Sequence, residues 1–353
     1  MFDLIARAQA LGASDLHLVA GAAPLARVDG EIVLLDHPPL ADDAIAEMMI
    51  PLLTDAQRHE LDDTWQLCFS RTIPTVGYVR VTLYYRQRRL EAAIRLGREV
   101  LPDRRALGLP PVLDELIRRP SGLFLITGPT GSGKTTTMNA LIDLVNAEQR
   151  AKIVMIEDPI EYVHANRRSV VVQQEVGTDV KSFARAVVHV LRQDPDVIAI
   201  GELRDLETIS AALTAAETGH LVLATLHSND CPSTINRVVD VFPEAQQQQV
   251  RFQLSMSLRA VMNQRLLARA DGRGRLLVYG LLVGTPAVAS MIRDNKLAQL
   301  MSVMQSSRKD GMVVMDDLIR DAYLRAEVGY DEALSNMSDP RGLVARVTGA
   351  KLP

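Results

Sequence analysis

Residues 128–135, in the middle of the chain, have the types and the spacing of a phosphate-binding loop. They read GPTGSGKT and fit the pattern G-x-x-x-x-G-K-[ST]. Glycines at this spacing let the backbone curl until its N–H groups point at phosphate oxygens, and the lysine and hydroxyl supply a cation and a Mg²⁺ ligand. We predict that nucleotide phosphates contact Gly128, Pro129, Thr130, Gly131, Ser132, Gly133, Lys134, Thr135 and Thr136.

The residues on either side of this loop predict a strand before it and a helix after it. Residues 123–126 are four consecutive apolar residues, and TTTMNALIDLVNAEQ follows with a helical pattern. In this context Lys134 would reach the β- and γ-phosphates, and the Thr135 hydroxyl would bind Mg²⁺ at the positive end of the helix. The pattern arises by chance in roughly one chain in a hundred of this length, so a glycine turn without function is the weaker interpretation.

Two further apolar segments end in carboxylates. KIVMIEDPIEY ends with Glu157, Asp158 and Glu161, and DPDVIAIGELRD ends with Glu202. The carboxyl ends of parallel strands are where such a sheet places its ligands. One carboxylate would complete the Mg²⁺ coordination and another would orient water for in-line attack. A lone acidic residue after a strand is more often a solvated loop end, but two such placements after a phosphate-binding loop favour function.

Two histidines flank the apolar segment LVLATL, His220 before it and His227 after it. An isolated histidine is more often structural than catalytic, and the spacing alone leaves the two interpretations level. As hydrogen-bond donors, both could contact a γ-phosphate.

Three arginines precede the predicted linker: Arg80, Arg88 and Arg95. Surface arginines are usually only solvated, and that interpretation carries equal weight. An arginine supplied by a neighbouring copy, however, stabilises charge on a transferring phosphoryl group by orders of magnitude in rate. Arg204, within GELRD, is a further candidate for this bridging role.

Composition and charge exclude several classes of protein. The chain has 353 residues, 47% hydrophobic and 23% charged, as in ordinary globular proteins of two domains. A formal net charge of -4 provides no basic field, so no nucleic-acid partner is expected. Cys68 and Cys231 are far apart, which excludes a disulfide framework and fits a reducing cytosol. The longest apolar stretch, residues 276–289, is interrupted by glycines and a proline, so membrane contact would be peripheral.

The first part of the chain, residues 1–95, predicts a mixed α+β unit. Its pattern indicates a helix over 3–10, a strand in DLHLVA, a hairpin about Asp29-Gly30, a helical segment over 41–61 interrupted at Pro51, and strands in VGYVRVTLYYRQ and EAAIRLG. Residues 96–111 are rich in glycine, proline and arginine and predict a linker.

From residue 112 onward, strand-sized apolar runs alternate with helical patterns. This alternation predicts an α/β fold with a mostly parallel sheet buried on both faces. The tail from residue 233 is expected to be mainly helical, and residues 244–267 form its longest periodic segment.

Four motifs follow one another in the second half of the chain: GPTGSGKT, IEDPIEYVH, DPDVIAIGELRDLETI and TAAETGHLVLATLH. In order and spacing they resemble the Walker A motif, Asp box, Walker B motif and His box of the secretion ATPase superfamily, and most closely of PilT-type retraction ATPases of type IV pili. The resemblance spans nearly the whole chain. ASDLHLVAGAAPLARVDGEI is similar to that family's N-terminal signature, and TINRVVDVFP and GTPAVASMIRD are similar to its C-terminal segments.

The resemblance implies an N-terminal PAS-like domain over 1–95, a linker over 96–111, and a RecA-like ATPase domain with C-terminal helices over 112–353. It also implies a homohexamer with ATP and Mg²⁺ between neighbours. Glu161 would activate water and Glu202 would support the metal, although these two roles are exchangeable. By matching motif positions, the resemblance also places further residues at the nucleotide site: Lys134, Thr135, His220, His227, Arg80, Arg88 and Arg95.

The same resemblance implies a cytoplasmic location, peripherally associated with the inner membrane at the pilus base. Its implied partners are the inner-membrane pilus platform protein and a paralogous pilus ATPase. Retraction ATPases carry the segment Ala-Ile-Arg-Asn-Leu-Ile-Arg-Glu, whereas residues 287–294 here read AVASMIRD, with Ala289-Ser290 in place of Arg-Asn. The ligands of the four-cysteine zinc site of assembly-type relatives are missing, which disfavours filament extrusion.

Three alternatives to a retraction motor stay open. An accessory PilU-like ATPase would share all four motifs. A RecA-like nucleic-acid motor would share the core, but the acidic balance and the lack of aromatic stacking residues beside a basic groove disfavour it. A non-hydrolysing adaptor would keep the phosphate loop and lose the carboxylates, both of which are present.

Overall fold

The structure, a computed structural model, describes residues 1–28, 31–73, 77–97, 101–341 and 343–344, and these form two compact units. The first unit is Met1–Leu101 together with Pro159–Val163, and the second is the rest of the described chain. The predicted bounds of the domains and of the linker stay predictions. Among the described residues, no helix is both long and apolar enough to span a bilayer.

The described residues of the first unit form three helices and six strands. In chain order they are α1 (Phe2–Ala10), β1 (Asp15–Leu18), β2 (Leu25–Val28), β3 (Glu31–Leu34), α2 (Ala44–Met49), α3 (Asp55–Thr64), β4 (Gln66–Ile73), β5 (Gly77–Arg86) and β6 (Arg89–Leu96). The strands form one antiparallel sheet in the order β3-β2-β1-β6-β5-β4. One face of this sheet packs on α1 and α2, because alternate strand residues such as Val79, Val81 and Leu83 are apolar and buried.

Most predicted elements of this unit are confirmed. The predicted helical segment is interrupted at Pro51 as expected: α2 ends at Met49, and a 3₁₀ turn, Ile50–Leu52, follows it. Pro51 lacks the N–H needed to continue an α-helix. The hairpin strands pair, with Val28 opposite Glu31, while the predicted turn residues Asp29 and Gly30 lie outside the described residues. Strand β4 was not predicted.

The second unit is a seven-stranded sheet with helices. Its elements are α4 (Val112–Ile117), β7 (Gly122–Thr127), α5 (Lys134–Glu148), β8 (Lys152–Glu157), β9 (Val170–Glu175), α6 (Phe183–Val190), β10 (Val197–Ile200), α7 (Leu206–Glu217), β11 (Leu221–Leu226), α8 (Cys231–Asp240), α9 (Glu244–Ser257), β12 (Leu258–Ala268), β13 (Arg275–Val283), α10 (Pro286–Arg293), α11 (Leu300–Ser306), α12 (Met315–Leu324) and α13 (Tyr330–Asn336).

The sheet of the second unit is parallel except at one edge. Its strand order is β13-β12-β7-β11-β10-β8-β9, and the pair β12/β13 is antiparallel. Every residue of β7, β10 and β11 is buried, as expected for parallel strands covered on both faces. The predicted α/β fold with a mostly parallel sheet is confirmed.

The prediction of a mainly helical tail is wrong for residues 258–283. Helix α9 ends at Ser257, and the chain continues as β12, which pairs with β7 on one side and β13 on the other. A largely apolar run such as Leu258–Ala268 fits a buried strand as well as a helix, and sequence periodicity does not separate the two. Pairing with β7 decides the outcome, and it brings polar residues of β12 to the phosphate-binding loop.

Candidate nucleotide-binding site

The phosphate-binding loop lies between the end of β7 and the start of α5, and its shape requires glycine. The φ angles of Gly128, Gly131 and Gly133 are +141°, +79° and +86°, in a region that residues with a side chain rarely adopt. A Cβ atom on Gly128 would lie 2.3 Å from the backbone oxygen of Gln264 and 2.7 Å from the Oγ of Ser132. The loop is therefore packed against β12 so closely that only glycine fits at its first position.

Replacing Gly128 by alanine should lower the free energy of unfolding by about 1–3 kcal/mol, because the added methyl group must push the loop away from the β12 backbone. Gly219 is a matched control, since its φ is +109° and a Cβ there would meet nothing within 4 Å. Urea denaturation gives the free energy of unfolding of both variants. Gly219→Ala loses only what backbone strain costs, and Gly128→Ala should lose more because of the steric overlap. Equal losses in the two variants would contradict the packing described above.

Lys134, the first residue of α5, is 9% exposed and contacts the loop that precedes it. Its Nζ donates to the carbonyl oxygens of Gly128 and Pro129, each at 3.0 Å, and lies 3.4 Å from Nδ1 of His227. Burial lowers the pKa of the Lys134 ammonium, and the Glu202 carboxylate acts in the opposite direction. The ammonium is thus held at the loop by two neutral carbonyls, which are weaker partners than phosphate oxygens.

Side chains from two neighbouring strand ends continue this network. His227 follows β11 and Glu202 follows β10, and Nε2 of His227 lies 3.4 Å from Oε1 of Glu202. Arg204 contacts the other oxygen of Glu202 at 2.7 Å, and this hydrogen bond raises the pKa of the Arg204 guanidinium. One network of polar contacts therefore lies at the carboxyl edge of the sheet, and it runs from Lys134 through His227 and Glu202 to Arg204.

The oxygen atoms at this edge are of the type that Mg²⁺ prefers. Thr135 is half-buried in the first turn of α5, and its carbonyl accepts a hydrogen bond of 3.0 Å from Asn139. The almost fully buried Glu157 ends β8, and Glu202 follows β10. These two strands pair in register, with Ile200 opposite Ile156. No cluster of three acidic, histidine or cysteine ligands exists among the described residues. Mg²⁺ in phosphate-binding loops needs only one or two protein oxygens besides phosphate, so this donor set fits it.

The structure does not bring His220 to the loop of its own chain. Its carbonyl accepts from the N–H of Gly122 at 3.0 Å, at the amino end of β7, and its Nδ1 lies 3.0 Å from the carbonyl of Ala215. His227 lies at the other end of β11, roughly 20 Å away at about 3.3 Å per strand residue. A role for His220 at a nucleotide therefore requires the loop of another copy.

The three predicted arginines and Glu161 all belong to the first unit. Arg80 and Arg95 are directly opposite each other in the β5/β6 pair, and Nε of Arg95 lies 3.0 Å from Oδ1 of Asp15. Arg88 is in the turn between these strands, with φ +65°, roughly 20 Å from Arg80. The structure groups Arg80 with Arg95 and separates Arg88 from them.

A buried histidine lies close to the first turns of α5. His164 is 3% exposed in its side chain, and its Nε2 is 2.7 Å from Oδ1 of Asn139, whose amide donates to the Thr135 carbonyl. Burial lowers the pKa of the His164 imidazole below its ordinary value of 6.5, a shift that Asp143 opposes and Arg167 increases. Nε2 therefore carries the proton of a neutral ring and donates to Asn139.

This lowered pKa predicts a loss of stability in acid. The unfolded chain protonates His164 at its ordinary pKa and the folded chain only at a lower pH, so the unfolded state binds more protons in between. The free energy of unfolding should fall as the pH drops below about 6.5. His164→Gln keeps an N–H donor and does not titrate, so its unfolding free energy, measured in urea at several pH values, should fall less steeply. Identical slopes would contradict the assignment.

Two residues at the site were not predicted from the sequence, Asn263 and Gln264 of β12. Both are 1% exposed, and their side chains donate hydrogen bonds to Thr127 and Ser132 respectively. The available signal was a pair of adjacent amide residues in the middle of Leu258–Ala268, a run that also contains Arg259 and Arg265.

The chain is similar to known proteins over most of its length. Residues 108–275 match the family described as type II/IV secretion system protein. The chain is 39% identical over 338 residues to the type IV pilus retraction ATPase PilT of Pseudomonas aeruginosa, with 96% of this chain and 98% of that protein covered. It is 35% identical over 332 residues to the type IV pilus ATPase PilU of the same organism, with 94% and 87% covered.

A solved structure agrees in fold over the same length. The crystal structure of the pilus retraction motor PilT with bound ADP superposes with a TM-score of 0.91 at 43% identity, covering 98% of each chain. Both units of the present structure therefore have counterparts in a protein that binds an adenine nucleotide.

Proposed function

We propose a function from one premise: this chain belongs to the PilT-type ATPases of the type II/IV secretion system protein family, and it is an ATPase. It acts as the ATP-hydrolysing motor that retracts type IV pili and so drives twitching motility. The full-length similarity to PilT is the observation that carries this proposal. The first unit is PAS-like and the second RecA-like, and the chain works at the cytoplasmic face of the inner membrane on the pilus platform protein.

The phosphate-binding loop holds the triphosphate in this proposal. Lys134 exchanges the carbonyls of Gly128 and Pro129 for β- and γ-phosphate oxygens, which are stronger, charge-assisted partners. In this structure Nδ1 of His227 accepts from the lysine ammonium at 3.4 Å; once the lysine binds the phosphates, the imidazole would turn to donate toward the γ-phosphate. The network from Lys134 to Glu202 thus orients two donors at the reacting phosphate.

The carboxylates divide the remaining chemistry between them. When bound, Mg²⁺ would neutralise the charge that develops on the phosphates. The Thr135 hydroxyl and the Glu202 carboxylate would hold it, and Glu161 would accept the proton of the attacking water. Arg204 fixes the orientation of Glu202 through its contact of 2.7 Å.

A neighbouring copy completes the site in a homohexamer. Two arginines directly opposite each other on adjacent strands concentrate positive charge on one face of the sheet, and the Asp15 carboxylate, 3.0 Å from Arg95, offsets only part of it. Arg80 and Arg95 form such a pair on the sheet of the first unit. We assign Arg80 and Arg95 to the transferring phosphoryl group of the nucleotide bound by the next subunit, and Arg88, roughly 20 Å from Arg80, to a more distant part of that nucleotide.

One observation favours an accessory role as a second candidate. Helix α10 contains Ala289 and Ser290 where retraction ATPases have Arg-Asn, and the chain is also similar to PilU over most of its length. A Lys134→Ala substitution in the host separates the two roles. A retraction motor predicts that pili stop retracting, whereas an accessory ATPase predicts slower or weaker retraction that persists.

The oligomer is tested by the mass of the particle in the presence of a non-hydrolysable ATP analogue and Mg²⁺. The proposal expects six copies in a closed ring. A chain that stays monomeric at high concentration with the analogue bound would contradict it. Measuring ATP turnover with and without single-stranded DNA tests the nucleic-acid motor, which alone predicts strong stimulation.

A further inference from the structure

Strand β12 contributes two buried amides to the site, although four of the five residues that precede them, Leu258–Met262, are apolar. Asn263 and Gln264 follow this run and are each 1% exposed. A buried amide is costly unless it is hydrogen-bonded, so its partners indicate what it does. For both residues the partners are at the end of β7 or in the loops that surround the phosphate-binding site.

Gln264 contacts the phosphate-binding loop at three points. Its Nε2 donates to the carbonyl oxygen of Ser132 at 2.6 Å. The backbone carbonyl oxygen of Gln264 is so close to Gly128 that a Cβ atom on Gly128 would lie 2.3 Å from it. The side-chain Nε2 of Gln264 would lie 3.3 Å from a Cβ atom on Gly133. Gly128 and Gly133 therefore let the loop lie directly on this one residue.

The hydrogen bond to Ser132 determines which way a peptide group faces. A peptide unit is planar and trans, so the carbonyl of Ser132 and the N–H of Gly133 point in opposite directions. Because the Ser132 carbonyl is held toward β12, the Gly133 N–H faces away from β12. An N–H that faces the inside of the loop in this way can bind a phosphate oxygen. Gly133 has a positive φ angle and no side chain to hinder rotation, so without the bond this peptide turns at small cost.

Asn263 makes the corresponding contacts with the neighbouring strand ends. Its Nδ2 donates to Oγ1 of Thr127, the last residue of β7, and to the carbonyl of Ser228, each at 3.0 Å. Ser228 follows His227 directly in the chain. The two amides of β12 therefore hold both the phosphate-binding loop and the loop that carries His227.

We propose that Gln264 is a positioning residue for nucleotide binding: its side-chain amide holds the Ser132–Gly133 peptide in the orientation in which the Gly133 N–H binds a phosphate oxygen. This inference rests on nucleotide binding by the loop, as proposed above. Gln264 touches no substrate atom and acts through the Gly133 amide.

Gln264→Met tests this role, because methionine has a similar length and lacks the donor. Isothermal titration with ADP and Mg²⁺ should show a dissociation constant raised about 10-fold, the effect of leaving one carbonyl of the loop without its bond. Gln149→Met is the matched control, since the Gln149 amide donates to the Ile117 carbonyl at 3.4 Å, at the far end of α5. Its dissociation constant should equal that of the wild type.

Steady-state kinetics distinguish positioning from a general loss of structure. For Gln264→Met, KM for ATP should rise about 10-fold while kcat changes less than about 3-fold, because bound phosphate itself holds the peptide once it is in place. Partial unfolding would instead lower the apparent kcat at unchanged KM. If Gln264→Met does not fold, Gln264→Asn serves in its place, since the shorter amide does not reach Ser132.

The outcomes separate this inference from the proposed function. Wild-type affinity for ADP in a folded Gln264 variant overturns the positioning role and leaves the ATPase intact. A wild-type chain that binds neither ADP nor ATP with Mg²⁺ overturns the proposed function itself. A raised dissociation constant in the Gln264 variant alone supports the inference.

Discussion

The Lys134→Ala chain should fold normally and hydrolyse ATP at least about 100-fold more slowly than the wild type, because one preorganised cation at the reacting phosphate accounts for rate effects of this size. The lysine is 9% exposed, and burial already lowers the pKa of its ammonium. Removing a desolvated cation from the nucleotide-free chain therefore carries little cost in stability. Phosphate release and thermal unfolding of the purified variant measure the two effects.

Lys181→Ala is the control for this substitution. Lys181 is exposed, in the same unit, and precedes α6 rather than the phosphate-binding loop. Its turnover should equal that of the wild type. Undiminished hydrolysis by Lys134→Ala would mean that the loop of residues 128–135 is not the site of turnover.

Glu161→Gln and Glu202→Gln should impair hydrolysis in different ways. A glutamine at position 161 cannot accept the proton of the attacking water, so kcat should fall about 10²–10⁴-fold with little change in nucleotide affinity. A glutamine at position 202 would weaken the proposed Mg²⁺ ligand and would remove the charge that Arg204 and His227 face. For Glu202→Gln, the Mg²⁺ concentration that gives half-maximal turnover should therefore rise.

Glu207→Gln provides the matched control, because Glu207 is exposed in the first turn of α7. Titrations of ATP and of Mg²⁺ on all three variants assign the roles. The reverse pattern, with Mg²⁺ dependence changed by Glu161→Gln and kcat alone changed by Glu202→Gln, would exchange the two assignments. Wild-type turnover in both variants would contradict the carboxylate chemistry.

The phosphate-binding loop and the parallel sheet were accessible from the sequence because both depend on short-range features. A strand, a glycine loop and a helix N-terminus follow one another within about 25 residues, and mostly apolar strands such as β7 and β11 predict a sheet covered on both faces. The placement of Glu202 and His227 at one edge follows from the rule that parallel strands present their carboxyl ends together.

The features that were missed depend on long-range pairing. Strand β12 is next to β7 only because residues more than 130 positions apart pair, with Asn263 opposite Thr127, and periodicity within the segment does not reveal this. The site contacts of Gln264 follow from the same pairing. The position of His220 is different, because a residue that precedes a parallel strand lies at the amino edge, and strand direction alone separates it from His227.

The central claim, that one chain's phosphate-binding loop acts with arginines of the next, is tested most directly by mixing two inactive variants. One variant carries Lys134→Ala, and the other carries alanine at Arg80, Arg88 and Arg95. In a head-to-tail ring assembled from equal amounts, about one quarter of the sites combine an intact lysine with intact arginines, so ATP turnover should return to about that fraction of the wild-type rate. Mixed rings that stay as inactive as the separate variants would contradict the account.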